Sequence, residues 1–250
     1  MFNRDLQELI DDKKSRLCVG LDPAPQGMRK NHTTDKRILD FCLEIVEETS
    51  EHAVLYKPNL QYIMPLSRRE MVELNKKIHE NDALSILDLK LSDIGSTNKA
   101  SLYWIKKMGF DSFTYSPFPG NIIETGKNAR SYDLGVFVLT LMSNPEARYF
   151  MKSKIDGKIA YEFISERINE IDGNAVIGAT CEREDLLRIS SILRGDRFVL
   201  VPGIGVQKGR MDILKIFKNT VVNVGRSIIY SEKPEEEAEE YKEKIKKFTS

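Results

Sequence analysis

Three cysteines in 250 residues, Cys18, Cys42 and Cys181, are too few and too far apart for a disulfide framework or a CxxC pair. Histidine is equally scarce. His32, His52 and His79 lie in polar or helical contexts without metal-ligand spacing, so they read as surface residues. Net charge is also missing: Lys and Arg number 38, and so do Asp and Glu. No global field draws this chain to nucleic acid or to an anionic membrane, although a local basic site is not excluded. No apolar run approaches the roughly 18 residues that span a bilayer. The opening "MFNRDLQELIDDKK" is charged from the start, unlike a secretory signal. Together these absences predict a cytoplasmic globular protein, with residues 1–250 forming a single domain.

What the sequence does contain is a repeating alternation. Short β-rich runs occur at 16–22, 53–59, 84–90, 111–117, 134–140, 174–180, 197–203 and 221–226. Each closes on Gly, Pro, Asn, Asp, Thr or a charged residue, as buried strands do. Helical patterns lie between them. In 34–52, Ile38, Phe41, Cys42, Ile45 and Val46 recur at spacings of three and four behind Thr33, Thr34 and Asp35 as candidate caps. The last segment places Ala238, Tyr241, Ile245 and Phe248 on one stripe. Glu240/Lys244 and Glu243/Lys247 are i,i+4 pairs, which marks a solvated helix face. Eight strands alternating with helices predict an α/β fold of the (β/α)8 TIM-barrel type, for which this length is typical. An open doubly wound sheet is the competitor. It normally carries a glycine fingerprint after its first strand, and "GLDPAPQG" is not one.

Barrel chemistry belongs at the C-terminal ends of the strands, and the charged residues fall there. The first run ends in Asp22, the second reaches Lys57, the third ends in Asp88 and Lys90, and the eighth ends in Arg226. Asp88 and Lys90 are two apart, so a regular strand points both inward with Ile86, while Leu87, Leu89 and Leu91 face the helices. Asp93 follows on the loop. A buried Asp–Lys pair that merely closes the barrel mouth would explain this spacing alone, but not the added Asp22 and Lys57. Further on, "VLVPGIGVQKGR" runs from a strand into Pro202, Gly203 and Gly205, then Gln207 and a helix-compatible stretch. Backbone N–H groups in such a turn, a helix N-terminus, and Gly225 with the Arg226 fork on the next strand suit a phosphate.

These segments together resemble the orotidine 5′-monophosphate decarboxylase family over essentially the whole chain. The most specific element is Asp88-Leu-Lys90-Leu-Ser-Asp93-Ile94 followed by "GSTNKA", which is similar to the family branch carrying DIGST. The resemblance implies metal- and cofactor-free decarboxylation of a nucleoside monophosphate, with Lys90 stabilising a carbanion at pyrimidine C6 and then protonating it. It implies that Lys57 holds Asp88 and reaches the ribose, that Asp22 binds the ribose, and that Ser143 in "LMSNPEA" contacts the pyrimidine. Gln207 would touch pyrimidine and phosphate. Pro202, Gly203, Gly205, Gly225 and Arg226 would surround the phosphate. It further implies a homodimer in which Asp93 and Thr97 come from the partner subunit. Lys208 and Glu146 depart from the family pattern, each standing where Gly is frequent. The nearest rival resembles the Mg2+-dependent 3-keto-L-gulonate 6-phosphate decarboxylase and hexulose-6-phosphate synthase type. That type places a glutamate where this chain has Lys57. A non-catalytic phosphosugar-binding barrel would need the phosphate site without the Lys57, Asp88, Lys90, Asp93 set.

Overall fold

The computed structural model describes residues 2–24, 35–204 and 211–249. Eight parallel strands close into one barrel: β1 (Leu17–Leu21), β2 (Ala53–Pro58), β3 (Leu84–Leu91), β4 (Ser112–Tyr115), β5 (Gly135–Leu141), β6 (Asn174–Ile177), β7 (Val199–Pro202) and β8 (Thr220–Val224). Neighbours in sequence are neighbours in the sheet, and β1 pairs with both β2 and β8 to complete the ring. Every predicted strand is present, most of them a residue or more shorter than its apolar run.

The outer layer contains α2 (Asp35–Thr49), α3 (Arg68–Glu80), α4 (Gly95–Lys107), α5 (Ile122–Ser131), α6 (Ala160–Glu170), α7 (Arg183–Ile192) and α8 (Pro234–Thr249), with α1 (Phe2–Lys13) preceding β1. Local chemistry sets several boundaries. Ser67 and Glu70 form a reciprocal capping box that starts α3. Acids open α8 and lysines close it, matching the helix dipole. The Glu240–Lys244 pair forms, and Glu243 lies 3.7 Å from Lys246, one position earlier than the expected Lys247. The candidate caps Thr33 and Thr34 lie outside the described residues. After β7 the helix-compatible stretch does not become an α-helix among the described residues. Met211–Lys215 is a single 3-10 segment, against which α8 packs.

Two apolar layers hold the barrel. The larger lies between sheet and helices and contains Leu87 and Leu91, with Leu89 packed against it, so all three leucines face outward as expected. The smaller fills the interior with Cys18, Leu55, Ile86, Phe137, Leu139, Val176, Leu200 and Val221. Leu6 and Ile10 of α1 belong to this inner group, and Phe2 meets Phe137 edge-on at 5.7 Å. Helix α1 therefore seals the N-terminal end of the barrel, a role its charged sequence did not announce. Lys13 completes the seal by donating to the carbonyls of Ser50, Ala53 and Asn81 at 2.8, 3.2 and 2.9 Å. All three cysteines are free thiols, and burial pushes Cys18 and Cys42 up to about 12. With the lower end closed and apolar, polar groups collect at the upper end. No helix among the described residues is long and apolar enough to cross a membrane.

Candidate active site

Asp88 is the centre of the polar mouth. Its side chain projects inward from β3, and the residue is only 7% exposed. A carboxylate so buried requires compensation, and three donors supply it. Lys57 Nζ on β2 lies 2.6 Å from Oδ2, Lys90 Nζ lies 2.8 Å from Oδ1, and the Thr114 hydroxyl on β4 donates to Oδ1 at 2.9 Å. Burial alone would raise the Asp88 pKa. The charges and hydrogen bonds of the two lysines outweigh it, holding the carboxyl well below the usual carboxylate range. Lys57 is the reciprocal case: burial works against its charge, but Asp88 and Asp22 prevail and its pKa is raised.

Lys90 is not the simple continuation of the strand that its spacing suggested. Its φ is +50°, in the left-handed region that a lysine rarely occupies, and the β3–β4 register shifts between Leu87 and Leu91. The Thr114 oxygen that donates to Asp88 also accepts the Lys90 backbone N–H at 2.9 Å. That one hydroxyl ties the carboxylate to the kinked backbone. The side chain of Lys90 is 40% exposed, so its ammonium meets the carboxylate on one side and an open cavity on the other.

That cavity has a volume of about 340 Å3 and is walled by Lys57, Asp88, Lys90 and Thr114 on one side, with Leu139, Val176, Leu200 and the Met142–Asn144 segment opposite. Ser143 reaches it because Gly178, just past β6, has no side chain. A Cβ there would stand 2.7 Å from Ser143 Cβ and 2.8 Å from its backbone nitrogen. A second lobe of about 220 Å3 adjoins it, sharing Lys57, Asp88 and Pro202 and adding Asp22, Gly203, Gly225 and Arg226. Gly225 lets β8 approach β1, since a Cβ on it would come within 3.2 Å of the Gly20 carbonyl oxygen. Asp22 lines this lobe, and its buried Oδ1 has no hydrogen-bond partner among the described residues. Arg226 opens a short helix (Arg226–Ile229) directly after β8 and is exposed.

Most sequence-predicted residues thus converge on one cleft. Asp93 and Thr97 do not. Both are exposed on the rim, where the Asp93 carboxylate accepts the Ile94 backbone N–H at 2.7 Å. Gly205, Gln207 and Lys208 lie outside the described residues. Glu146 is exposed and accepts from Asn144 at 3.0 Å. Sequence reasoning missed Thr114, although counting by twos from Ser112 along β4 would have turned it inward. It also missed Gly178.

A closed parallel barrel with a buried Lys57–Asp88 pair reaching the half-exposed Lys90 at its C-terminal mouth defines a (β/α)8-barrel enzyme. Comparison with known proteins narrows the class. Residues 15–241 match the model of the orotidine 5′-phosphate decarboxylase / HUMPS family. The chain is 32% identical to the orotidine 5′-phosphate decarboxylase of Cupriavidus necator, covering 92% of this chain and 89% of the relative. It is 32% identical to that of Flavobacterium johnsoniae, covering 99% and 95%. The solved Leishmania donovani OMP decarboxylase superposes with a TM-score of 0.83 at 25% identity, covering 98% of each chain. The chain belongs to the orotidine 5′-phosphate decarboxylase / HUMPS family.

Proposed function

We propose that this chain converts orotidine 5′-monophosphate to uridine 5′-monophosphate and CO2 without a metal ion, using the Lys57–Asp88–Lys90 array. That array is the observation that carries the reading. Breaking the bond from C6 to the carboxylate leaves an electron pair in the plane of the pyrimidine, where the ring cannot delocalise it. A preorganised cation beside C6 lowers the energy of that charge. The Lys90 ammonium stabilises the carbanion and then donates its proton to C6, with solvent restoring the proton afterwards. Asp88 fixes Lys90 and remains ionised at neutral pH. It also faces the substrate carboxylate, and the repulsion between them disappears as CO2 departs.

In this reading the pyrimidine occupies the 340 Å3 lobe with Ser143 on its edge, and the phosphate lies with Gly203, Gly225 and Arg226. Gly205 and Gln207 add phosphate contacts, and binding energy gained at the remote phosphate is spent on the transition state. Lys57 and Asp22, which both line the smaller lobe, take ribose hydroxyls. Asp93 and Thr97 serve the partner's site in a homodimer. Their exposure supports this, as does the apolar rim beside them, where Ile94 is 66% and Phe118 78% exposed. The reading goes with a cytoplasmic enzyme of one domain.

The family also embraces Mg2+-dependent chemistry of the rival type, and Lys57 speaks against it here. An ammonium 2.6 Å from Asp88 occupies the carboxylate that would face the ion, and its charge repels a second cation. The test is loss of substrate absorbance with and without EDTA, in wild type and in Lys90→Ala. Decarboxylation indifferent to EDTA and abolished in Lys90→Ala is expected. Abolition by EDTA, or full activity in Lys90→Ala, refutes the mechanism. For the dimer, mixing Lys90→Ala with Asp93→Ala subunits restores part of the activity; no recovery after proven exchange refutes shared sites.

A further inference from the structure

The wall that presents Ser143 to the substrate lobe has a second cavity behind it. Residues 141–144 line the lobe on one side and a cavity of about 290 Å3 on the other. An ion cluster lies in this rear space, away from the cleft. Asp185, in the first turn of α7, is only 8% exposed. Its Oδ1 accepts from the fully buried Tyr161 hydroxyl at 2.8 Å, and its Oδ2 lies 2.6 Å from Lys152 Nζ. Lys152 also reaches the exposed Glu182 at 3.1 Å.

Lys152 belongs to the long connection between β5 and α6, the segment that carries Ser143. It terminates the short helix Arg148–Met151. Met151 in turn sets its sulfur 3.2 Å from the backbone N–H of Met142, the residue before Ser143. A contact path therefore runs from the buried carboxylate, through Lys152 and Met151, to the backbone of Met142, one residue before the substrate-facing serine. A carboxylate buried against a tyrosine on α6 needs a cation, and the connection supplies it. The fold's requirement for neutralisation thereby pins the connection down.

We propose that Lys152, Asp185 and Tyr161 form a latch that holds the Met142–Asn144 wall in its substrate-binding position before substrate arrives. Lys152 is a positioning residue that acts through Ser143, so the proposal rests on the reading of Ser143 as a pyrimidine contact. Without the latch, substrate binding must itself order the wall, and the cost falls on affinity.

The test compares Lys152→Met, Lys152→Arg, Ser143→Ala and the Lys152→Met/Ser143→Ala double variant on orotidine 5′-monophosphate. Lys152→Met is expected to raise KM about tenfold with kcat changed by less than about threefold, and Lys152→Arg to recover most of the loss. The double variant is expected to be no worse than Ser143→Ala, because both changes remove one effect. Amide exchange of residues 142–153 is expected to quicken in Lys152→Met while the barrel strands keep their protection. Additive effects in the double variant, unchanged exchange, or wild-type KM in Lys152→Met would overturn the latch. A wild-type chain inert toward this substrate, or a Ser143→Ala variant with unchanged kinetics, would instead overturn the reading beneath it.

Discussion

Thr114→Val gives the sharpest check on how the Lys57–Asp88–Lys90 array is held. Valine keeps the shape of threonine and removes one oxygen, so the core is neither emptied nor overfilled. That oxygen makes two bonds of 2.9 Å, donating to Asp88 and accepting the Lys90 N–H. A hydrogen bond to a charged group contributes about 1.5–3 kcal/mol, and a buried N–H left without a partner costs about 1–3 kcal/mol. The two cannot be summed in full, because Asp88 retains both lysines and the backbone can relax. A loss of about 3 kcal/mol in folding stability is a reasonable centre, read from urea denaturation. Activity should suffer more specifically. Each ~1.4 kcal/mol of lost transition-state stabilisation is a factor of ten, so a kcat lower by about 10- to 100-fold is expected. Thr114→Ser, which retains the hydroxyl, should stay within about fivefold of wild type. A folded Thr114→Val with wild-type kcat would refute the claim that this hydroxyl sets the position of Lys90.

Gly178→Ala should raise KM by about tenfold or more, since its Cβ must push Ser143 out of the cleft; steady-state kinetics with unchanged KM would count against the close approach. Lys13→Met should cost about 2–3 kcal/mol by leaving three carbonyls short of a donor at the sealed end. Its kcat should hold, and a denaturation midpoint equal to wild type would contradict the seal. His79 Nε2 donates to the Asp111 carboxylate at 2.9 Å, and that hydrogen bond, opposed by partial burial, raises its pKa above the ordinary 6.5. The resulting stability is fully present below about 6.5 and is lost as pH rises through the higher folded value. The melting-temperature advantage of wild type over His79→Gln should therefore shrink from pH 6 to pH 8; an advantage that grows would reverse the assignment.

The barrel was legible because each strand carries its own signal. Runs of branched and aromatic residues ending in turn formers required no knowledge of the rest of the chain. Lys57 and Asp88 were legible for a related reason, since charge at the end of a buried strand is costly enough to be conspicuous. Lys90 shows where local rules stop. Its backbone leaves the strand conformation under the hold of a threonine on the next strand, and neither residue's neighbours in sequence signal it. Gly178 was hidden because its role depends on where β5 ends. An extra residue between Leu139 and Leu141, shown by the register against β6, sets the path into Ser143. Helix α1 was overlooked because its charged face is what the sequence displays first. His79 is exposed, as its context suggested, and from the surface it ties the end of α3 to Asp111 just before β4.

The positive φ of Lys90 sets a tension between what the backbone prefers and what the buried carboxylate needs. A left-handed backbone at a long side chain carries a penalty on the order of 1 kcal/mol, which glycine would not incur. The ion pair that the same side chain makes with the buried Asp88, 2.8 Å away, offsets that penalty. One lysine thus carries both a strained backbone and the counter-charge that lets a carboxylate stay buried at the barrel mouth.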